Sequence, residues 1–200
     1  MPDGPVKRYA KGEAREREIL EATIDLIYEE GLSAVTHRAV AQRASVRPSA
    51  PSYFFPSIDD LIAEAIRSIV ATMMEDLEAL SARIEAEGMS REDAVDAFVE
   101  LFVGSAPRYD KVLFEAYLFA TRRPALRADV DAAIAATHRQ GSTLVTASRR
   151  KDFDWAAPIL TAYADGVILQ RLATPPEGIG VEALRDGLLA LMEGLPDRPT

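Results

Sequence analysis

The sequence predicts an all-α fold of nine helices in two domains. Apolar residues recur at helical spacing along most of the chain, and Gly, Pro, Ser and Thr signals interrupt that spacing at helix length. No segment pairs polar–apolar alternation with the turn residues that would mark a strand.

Residues 1–12 are expected to be a disordered basic arm, broken by Pro2, Gly4, Pro5 and Gly12 and charged by Lys7, Arg8 and Lys11. A first helix follows over 13–30, with Ile19, Thr23, Leu26 and Ile27 on one face. Gly31-Leu32 is its stop signal: glycine takes the left-handed residue and leucine folds back. Thr36 caps a second helix, 37–44, whose Val40, Ala41 and Ala44 face inward, and Ser45-Val46 make a turn. Pro51 lacks an N–H, which is harmless only in a first turn, so a short third helix spans about 49–54.

Ser57-Ile58-Asp59-Asp60 has the spacing of a capping box and opens a long fourth helix, about 58–86, which Gly88 ends. Ser90 caps a fifth, 91–105, carrying Val95, Phe98, Val99 and Phe102. Pro107 separates a sixth helix, 108–121, and Pro124 starts a seventh that reaches residue 140, or 148 if Gly141 only kinks it. Two further apolar helices, about 155–173 and 180–194, flank the breaker Pro175-Pro176-Glu177-Gly178.

A chain of 200 residues, 48% of them hydrophobic, can bury a sizeable core. The net charge of −9 argues against a protein that coats nucleic acid over its whole surface. The charge is unevenly placed, however. Residues 1–56 hold 8 basic and 8 acidic side chains, which leaves 15 basic and 24 acidic ones for the rest. There is no cysteine, hence no disulfide, thiol chemistry or cysteine-ligated metal. With no long apolar run and no hydrophobic leader, a cytoplasmic protein without membrane association is expected.

The most informative stretch is Gly31 to Ser57. It contains Arg38, Arg43, Arg47 and His37 and not one Asp or Glu. An acid-free basic segment built as helix, tight turn and helix is what the phosphate backbone of double-stranded DNA requires of a helix-turn-helix.

In register with that segment stand Thr36, Arg38, Val40, Ala41, Ala44, Ser45, Val46, Ser49, Tyr53, Phe54, Phe55, Ser57, Asp59 and Leu61. This pattern resembles the DNA-binding motif of the TetR family of bacterial transcriptional regulators, and Tyr163-Ala164-Asp165-Gly166 resembles an element of that family's eighth helix. The resemblance implies a helix-turn-helix head over 13–56 and a ligand-binding and dimerisation body over 57–200. Departures are visible. Serine stands at two positions usually glycine, Ser45 and Ser49, and Ile58 stands where a phosphate-contacting lysine is common. Phe54 replaces the second Tyr or His of the aromatic triplet, and Pro48 and Pro51 are unusual together in a recognition helix.

The candidate DNA-binding residues are Thr36, His37, Arg38, Arg47, Ser49, Ser52 and Tyr53. Thr36 caps a helix, and a capped N-terminus also offers N–H groups to a phosphate. Arg38 and Arg47 are either solvated charges or DNA contacts, and the absence of acids around them favours contact, Arg38 on the backbone and Arg47 on a groove edge. His37 is placed near the backbone, and Ser49 and Ser52 are small donors able to approach bases or phosphate. The Tyr53 hydroxyl points to a phosphate by resemblance, whereas Phe54 and Phe55 read as core. With no Asn in the chain, only Gln42 could make a bidentate amide contact to adenine.

In the body, Met73, Met74, Phe98, Phe102, Phe114, Tyr117, Phe119, His138, Trp155 and Tyr163 are individually core-type residues and collectively a reasonable lining for a small-molecule effector pocket. The resemblance also implies a homodimer through the last two helices, with Ile159, Tyr163, Val167, Leu184, Leu188 and Leu191 at the interface. Neither a glycine-rich phosphate loop nor a nucleophile elbow nor a metal-ligand set is present in the sequence, so no enzyme activity, cofactor or metal is expected. The reading is a DNA-binding repressor that binds a palindromic operator and is released by a hydrophobic or aromatic inducer. The other reading, a helical interaction or structural protein with a degenerate head, rests on Ile58 and the missing glycines.

Overall fold

A computed structural model describes residues 5–104, 107–147, 154–174 and 180–196, which form nine α-helices and no strand. The helices are α1 (Pro5–Glu30), α2 (His37–Arg43), α3 (Ala50–Phe54), α4 (Ile58–Glu87), α5 (Arg91–Gly104), α6 (Pro107–Ala120), α7 (Arg127–Ala147), α8 (Ala157–Ala173) and α9 (Val181–Gly194). Short 3-10 turns at Leu32–Ala34, Pro124–Leu126 and Asp154–Ala156 precede α2, α7 and α8.

The largest departure from the expected boundaries is at the start. Helix α1 begins at Pro5, about two turns before residue 13, so the arm expected over 1–12 is helical from Pro5 onward. Proline fits a first helical turn, where its missing N–H leaves no bond unmade. Helix α7 runs unbroken through Gly141 to Ala147.

The chain divides into two compact units, Met1–Ile69 with Val112–Val130, and Val70–Lys111 with Asp131–Thr200. The divisions fall inside α4, α6 and α7 rather than at residue 56.

In the first unit, Ile19, Thr23, Leu26 and Ile27 are buried as their spacing predicts, together with Val40, Ala41, Phe55, Leu61, Ile62 and Ile66. The Thr23 hydroxyl donates to the Ile19 carbonyl at 2.8 Å, which satisfies it inside the core. Capping follows the local signals. The Ala39 N–H donates to Thr36 Oγ1 at 3.1 Å, and Ser57 and Asp60 exchange bonds of 3.0 and 3.1 Å as a reciprocal box. Helix α2 ends in a Schellman motif: the Ser45 N–H donates to Gln42 O and the Val46 N–H to Ala41 O. Ser45 carries the left-handed conformation this motif needs, at φ 53°.

In the second unit, Leu77, Leu80 and Ile84 of α4 pack with Val95, Phe98 and Val99 of α5, Leu144 of α7, Leu160 and Val167 of α8, and Leu184, Leu188 and Met192 of α9. Helices α7 and α8 approach so closely at Gly141 that a Cβ there would lie 2.3 Å from the Ala157 carbonyl oxygen. Thr161 Oγ1 seals that crossing by donating to Thr137 O at 3.0 Å. A similar approach occurs at Gly187, where a side chain would collide with Tyr163, whose hydroxyl donates to Ala183 O at 2.6 Å.

Candidate functional site

Arg38 of α2, Arg47, Pro48 and Ser49 of the turn and Ser52 of α3 are exposed, and Tyr53 is 83% exposed. Tyr53 is held edge-on against Phe54, with ring centroids 5.3 Å apart, and Phe55 is buried behind them. The aromatic triplet therefore splits as its positions on a short helix require, one ring outward and one into the core. Among the described ion pairs, none engages Arg38 or Arg47. Arg43 is different: it pairs with Glu29 and Glu30 of α1.

His37 is half-buried and its Nε2 is shut off from solvent with no hydrogen-bond partner, so that nitrogen does not face a phosphate. Ser49 makes no side-chain cap to α3, and Ser52 donates to the Ser49 carbonyl at 3.2 Å. The side chains of Lys7, Arg8 and Lys11 lie outside the described residues.

The candidate effector residues fall in both units. Phe114 and Tyr117 belong to the first, where their rings meet edge to face at 6.1 Å. Phe119 also belongs there and stacks under the Arg123 guanidinium. Met73, Phe98, His138, Trp155 and Tyr163 belong to the second. Phe98 is buried core, and Met73, Trp155 and Tyr163 pack against that core. Tyr163 is engaged in pinning α8 to α9, and His138 is exposed. The side chain of Phe102 lies outside the described residues. An open groove of about 530 Å³ between α4 and α5 is lined by Asp76, Ala79, Leu80, Arg83, Ala97, Glu100 and Leu101, none of them a candidate.

Sequence reasoning missed a pair of acids. Asp110 of α6 and Asp165 of α8, both partly buried, lie in the second unit, and the Asp165 carboxylate acts on Asp110. Burial, and then the neighbouring Asp165 carboxylate, push Asp110 up to about 7. Burial raises Asp165 to about 6 against the opposing pull of His138. The only sequence signal for either was the Tyr163-Ala164-Asp165-Gly166 element.

The proposed interface residues also divide. Leu184 and Leu188 are 0% exposed and Val167 is buried, because they fill the protomer's own core and so are not available to a partner chain. Of the expected residues Ile159 is 37% exposed, and Ala162, Leu169 and Ala173 are also outward on α8, Leu169 at 49% exposure. Gly166 falls among them at the same three- and four-residue spacing, with open space around it. Tyr163 and Leu191 are half-buried.

No helix among the described residues is long and apolar enough to cross a membrane, and no group of three or more His, Cys, Asp or Glu among them could hold a metal ion.

A helix-turn-helix with exposed basic residues, in a chain otherwise built of further helices, is the architecture of a DNA-binding transcriptional regulator. Residues 19–65 match the family described as bacterial regulatory proteins, tetR family, and residues 89–195 match its tetracyclin repressor-like C-terminal domain. The chain belongs to the TetR family.

Among solved structures, a TetR-family member from Streptomyces coelicolor A3 is 26% identical over 88% of this chain and 97% of its own, with a TM-score of 0.70. The multidrug binding protein EbrR, complexed with imidazole, is 27% identical over 93% of this chain and 97% of its own, with a TM-score of 0.66. EbrR has also been solved with proflavin and with ethidium. A transcriptional regulator from Rhodococcus sp. Rha1 shares the fold at 22% identity, 90% and 94% coverage and a TM-score of 0.72. No curated protein matches the chain.

Proposed function

We propose that this protein is a ligand-responsive repressor that binds a palindromic operator as a homodimer and is released by a small aromatic effector, most favourably a cationic one. The observation that carries the DNA part is the exposed, acid-free surface of Arg38, Arg47, Ser49, Ser52 and Tyr53 on a helix-turn-helix capped by Thr36. Exposed cations supply phosphate affinity and a short helix N-terminus reaches base edges, while the acidic remainder keeps the body off the duplex.

Self-association through α8 is supported by its outward stripe of Ile159, Ala162, Gly166, Leu169 and Ala173, whose small residues allow a second helix to approach closely. A two-fold dimer presents two recognition helices, and these suit half-sites about 35 Å apart on one face of the duplex.

The effector class rests on two supports. EbrR is solved with imidazole, proflavin and ethidium, which are aromatic nitrogen compounds. Asp110 and Asp165, partly buried in the second unit with Asp165 acting on Asp110, are the acids an aromatic cation could neutralise once they ionise. Release requires only that the effector favour the DNA-incompetent arrangement, and a coupling of about 1–3 kcal/mol changes operator affinity some 5- to 150-fold.

Selection of duplexes from a random library at low salt, followed by binding of Arg38→Ala and Arg47→Ala to the selected sequence, tests the reading. Enrichment of a palindrome whose binding both variants weaken is the expected result. A wild-type protein that retains no duplex would leave the interaction-protein reading in its place.

A further inference from the structure

The break between α1 and α2 spans only residues 31–36, yet it decides where the second helix of the head begins. Its first amide, that of Gly31, donates locally to Ile27 O at 2.9 Å, but its second is satisfied from far away in the chain. The Leu32 N–H donates to Oε2 of Glu115 on α6 at 3.0 Å. Both residues belong to the first compact unit, in which residues 112–130 join the head helices.

The neighbouring backbone is shaped to admit this carboxylate. Gly31 sits at φ 85°, and a Cβ there would lie 3.3 and 3.4 Å from the two Glu115 oxygens. Glycine therefore serves the conformation and the close approach together. Beyond Leu32 the connection is anchored by the buried side chains of Leu32 and Val35, and it ends at Thr36, the cap of α2. Helix α2 runs for about two turns from that cap to Arg43, and Arg38 lies in its first turn. The segment that carries Glu115 is fixed to the head at other points as well. Arg123 pairs with Asp59 in the first turn of α4, and Arg67 of α4 pairs with Asp129 at 2.5 Å.

We propose that Glu115 is a positioning residue for DNA recognition: by accepting the Leu32 N–H it sets the entry of α2 and so the placement of Arg38 and the turn beyond it. This rests on the DNA-binding reading above. Glu115 does not touch DNA. It acts through the backbone, and what it must supply is an acceptor oxygen at this reach rather than a negative charge.

Three full-length variants separate these requirements. Glu115→Gln keeps an acceptor of the same length without the charge, Glu115→Asp keeps the charge but withdraws it by one methylene, and Glu115→Ala removes both. Affinity would be measured over a range of salt for a duplex that the wild-type protein selects from a random library, with hydrogen exchange followed at the Leu32 amide. Glu115→Ala and Glu115→Asp are expected to bind roughly 5-fold or more weakly, with faster Leu32 exchange, since an amide has lost its partner. Their salt slope should stay that of the wild type because no phosphate contact is lost. Glu115→Gln should remain within about 2-fold of wild type.

If Glu115→Ala does not fold, the Gln and Asp variants still decide. Equal loss in both, or no loss in Asp, overturns the positioning role. A wild-type protein that selects no duplex overturns the DNA-binding reading, whereas a selected duplex that Asp and Ala bind as well as wild type overturns the role of Glu115 alone.

Discussion

Arg43, at the end of α2, donates to Oε2 of Glu29 on α1 at 2.7 Å, and Glu30 stands at 3.4 Å from the same nitrogen. The hydrogen bond from Arg43 is the main cause that holds Glu29 below the ordinary carboxylate range, and it raises Arg43 in turn. Of the three arginines in the acid-free segment, this one is neutralised within the head. Arg38→Ala should therefore reduce the slope of log affinity against log salt by about one, and Arg43→Ala should leave it nearly unchanged. Arg47→Ala should cost about 1–3 kcal/mol on a selected duplex and less on random DNA. Titrations at several salt concentrations check this, and identical slopes for Arg38→Ala and Arg43→Ala would contradict it.

Ser45 closes the Schellman motif of α2 with a left-handed backbone that a side chain makes costly. Glycine at this position would keep both motif hydrogen bonds and remove the steric penalty. Ser45→Gly should stabilise the protein against thermal unfolding by about 1 kcal/mol without changing DNA affinity. A lower melting temperature would mean that the Ser45 hydroxyl contributes something its exposed position does not reveal.

Why these features were or were not legible follows from their range. Thr36, Ser57, Ser90 and Gly88 act within one turn of chain, so their caps and stops could be read from local spacing. The outward Tyr53 and inward Phe55 likewise follow from positions on a short helix. Leu184 and Leu188 fill the protomer's core although their pattern also fits an interface, because apolar periodicity shows that a face is buried but not whether its own protomer or a second copy covers it. Tyr163 looked like a pocket or interface residue, and only the contact with Gly187 and Ala183 shows its use. Glu115 meets Leu32, and Asp165 acts on Asp110, across long stretches of sequence where no local pattern announces the pairing.

The outward face of α8 gives a test of self-association that does not disturb the core. Leu169→Glu places a charge on an exposed position, so the protomer should stay folded while any dimer formed through this face dissociates. Leu188→Ala should do the reverse and destabilise the protomer by about 2–5 kcal/mol through the cavity it leaves. Sedimentation and thermal unfolding distinguish the two effects. If the wild type sediments as a dimer, a Leu169→Glu protein that does the same would move the interface elsewhere.

The acid pair makes two pH predictions of opposite sign. Asp110 and Asp165 have folded-state values of about 7 and about 6, raised above those of the unfolded chain chiefly by burial. Below pH about 4 both states hold the protons and no penalty exists. As pH rises through the window from about 4 to about 7, the unfolded chain releases protons that the folded one retains, so stability falls, and above about 7 the full cost is present. Asp110→Asn should thus stabilise the protein at pH 8, by on the order of 1–3 kcal/mol, and have little effect at pH 4. Cation binding runs the other way, because only the ionised pair attracts a positive charge. Ethidium, titrated against the protein without DNA, should bind about 10-fold more tightly at pH 8 than at pH 5.5. That gain should largely disappear in Asp110→Asn. An ethidium affinity that ignores both the pH and the substitution would remove the acid pair from effector recognition, and one that strengthens in acid would reverse the charge assigned to the site.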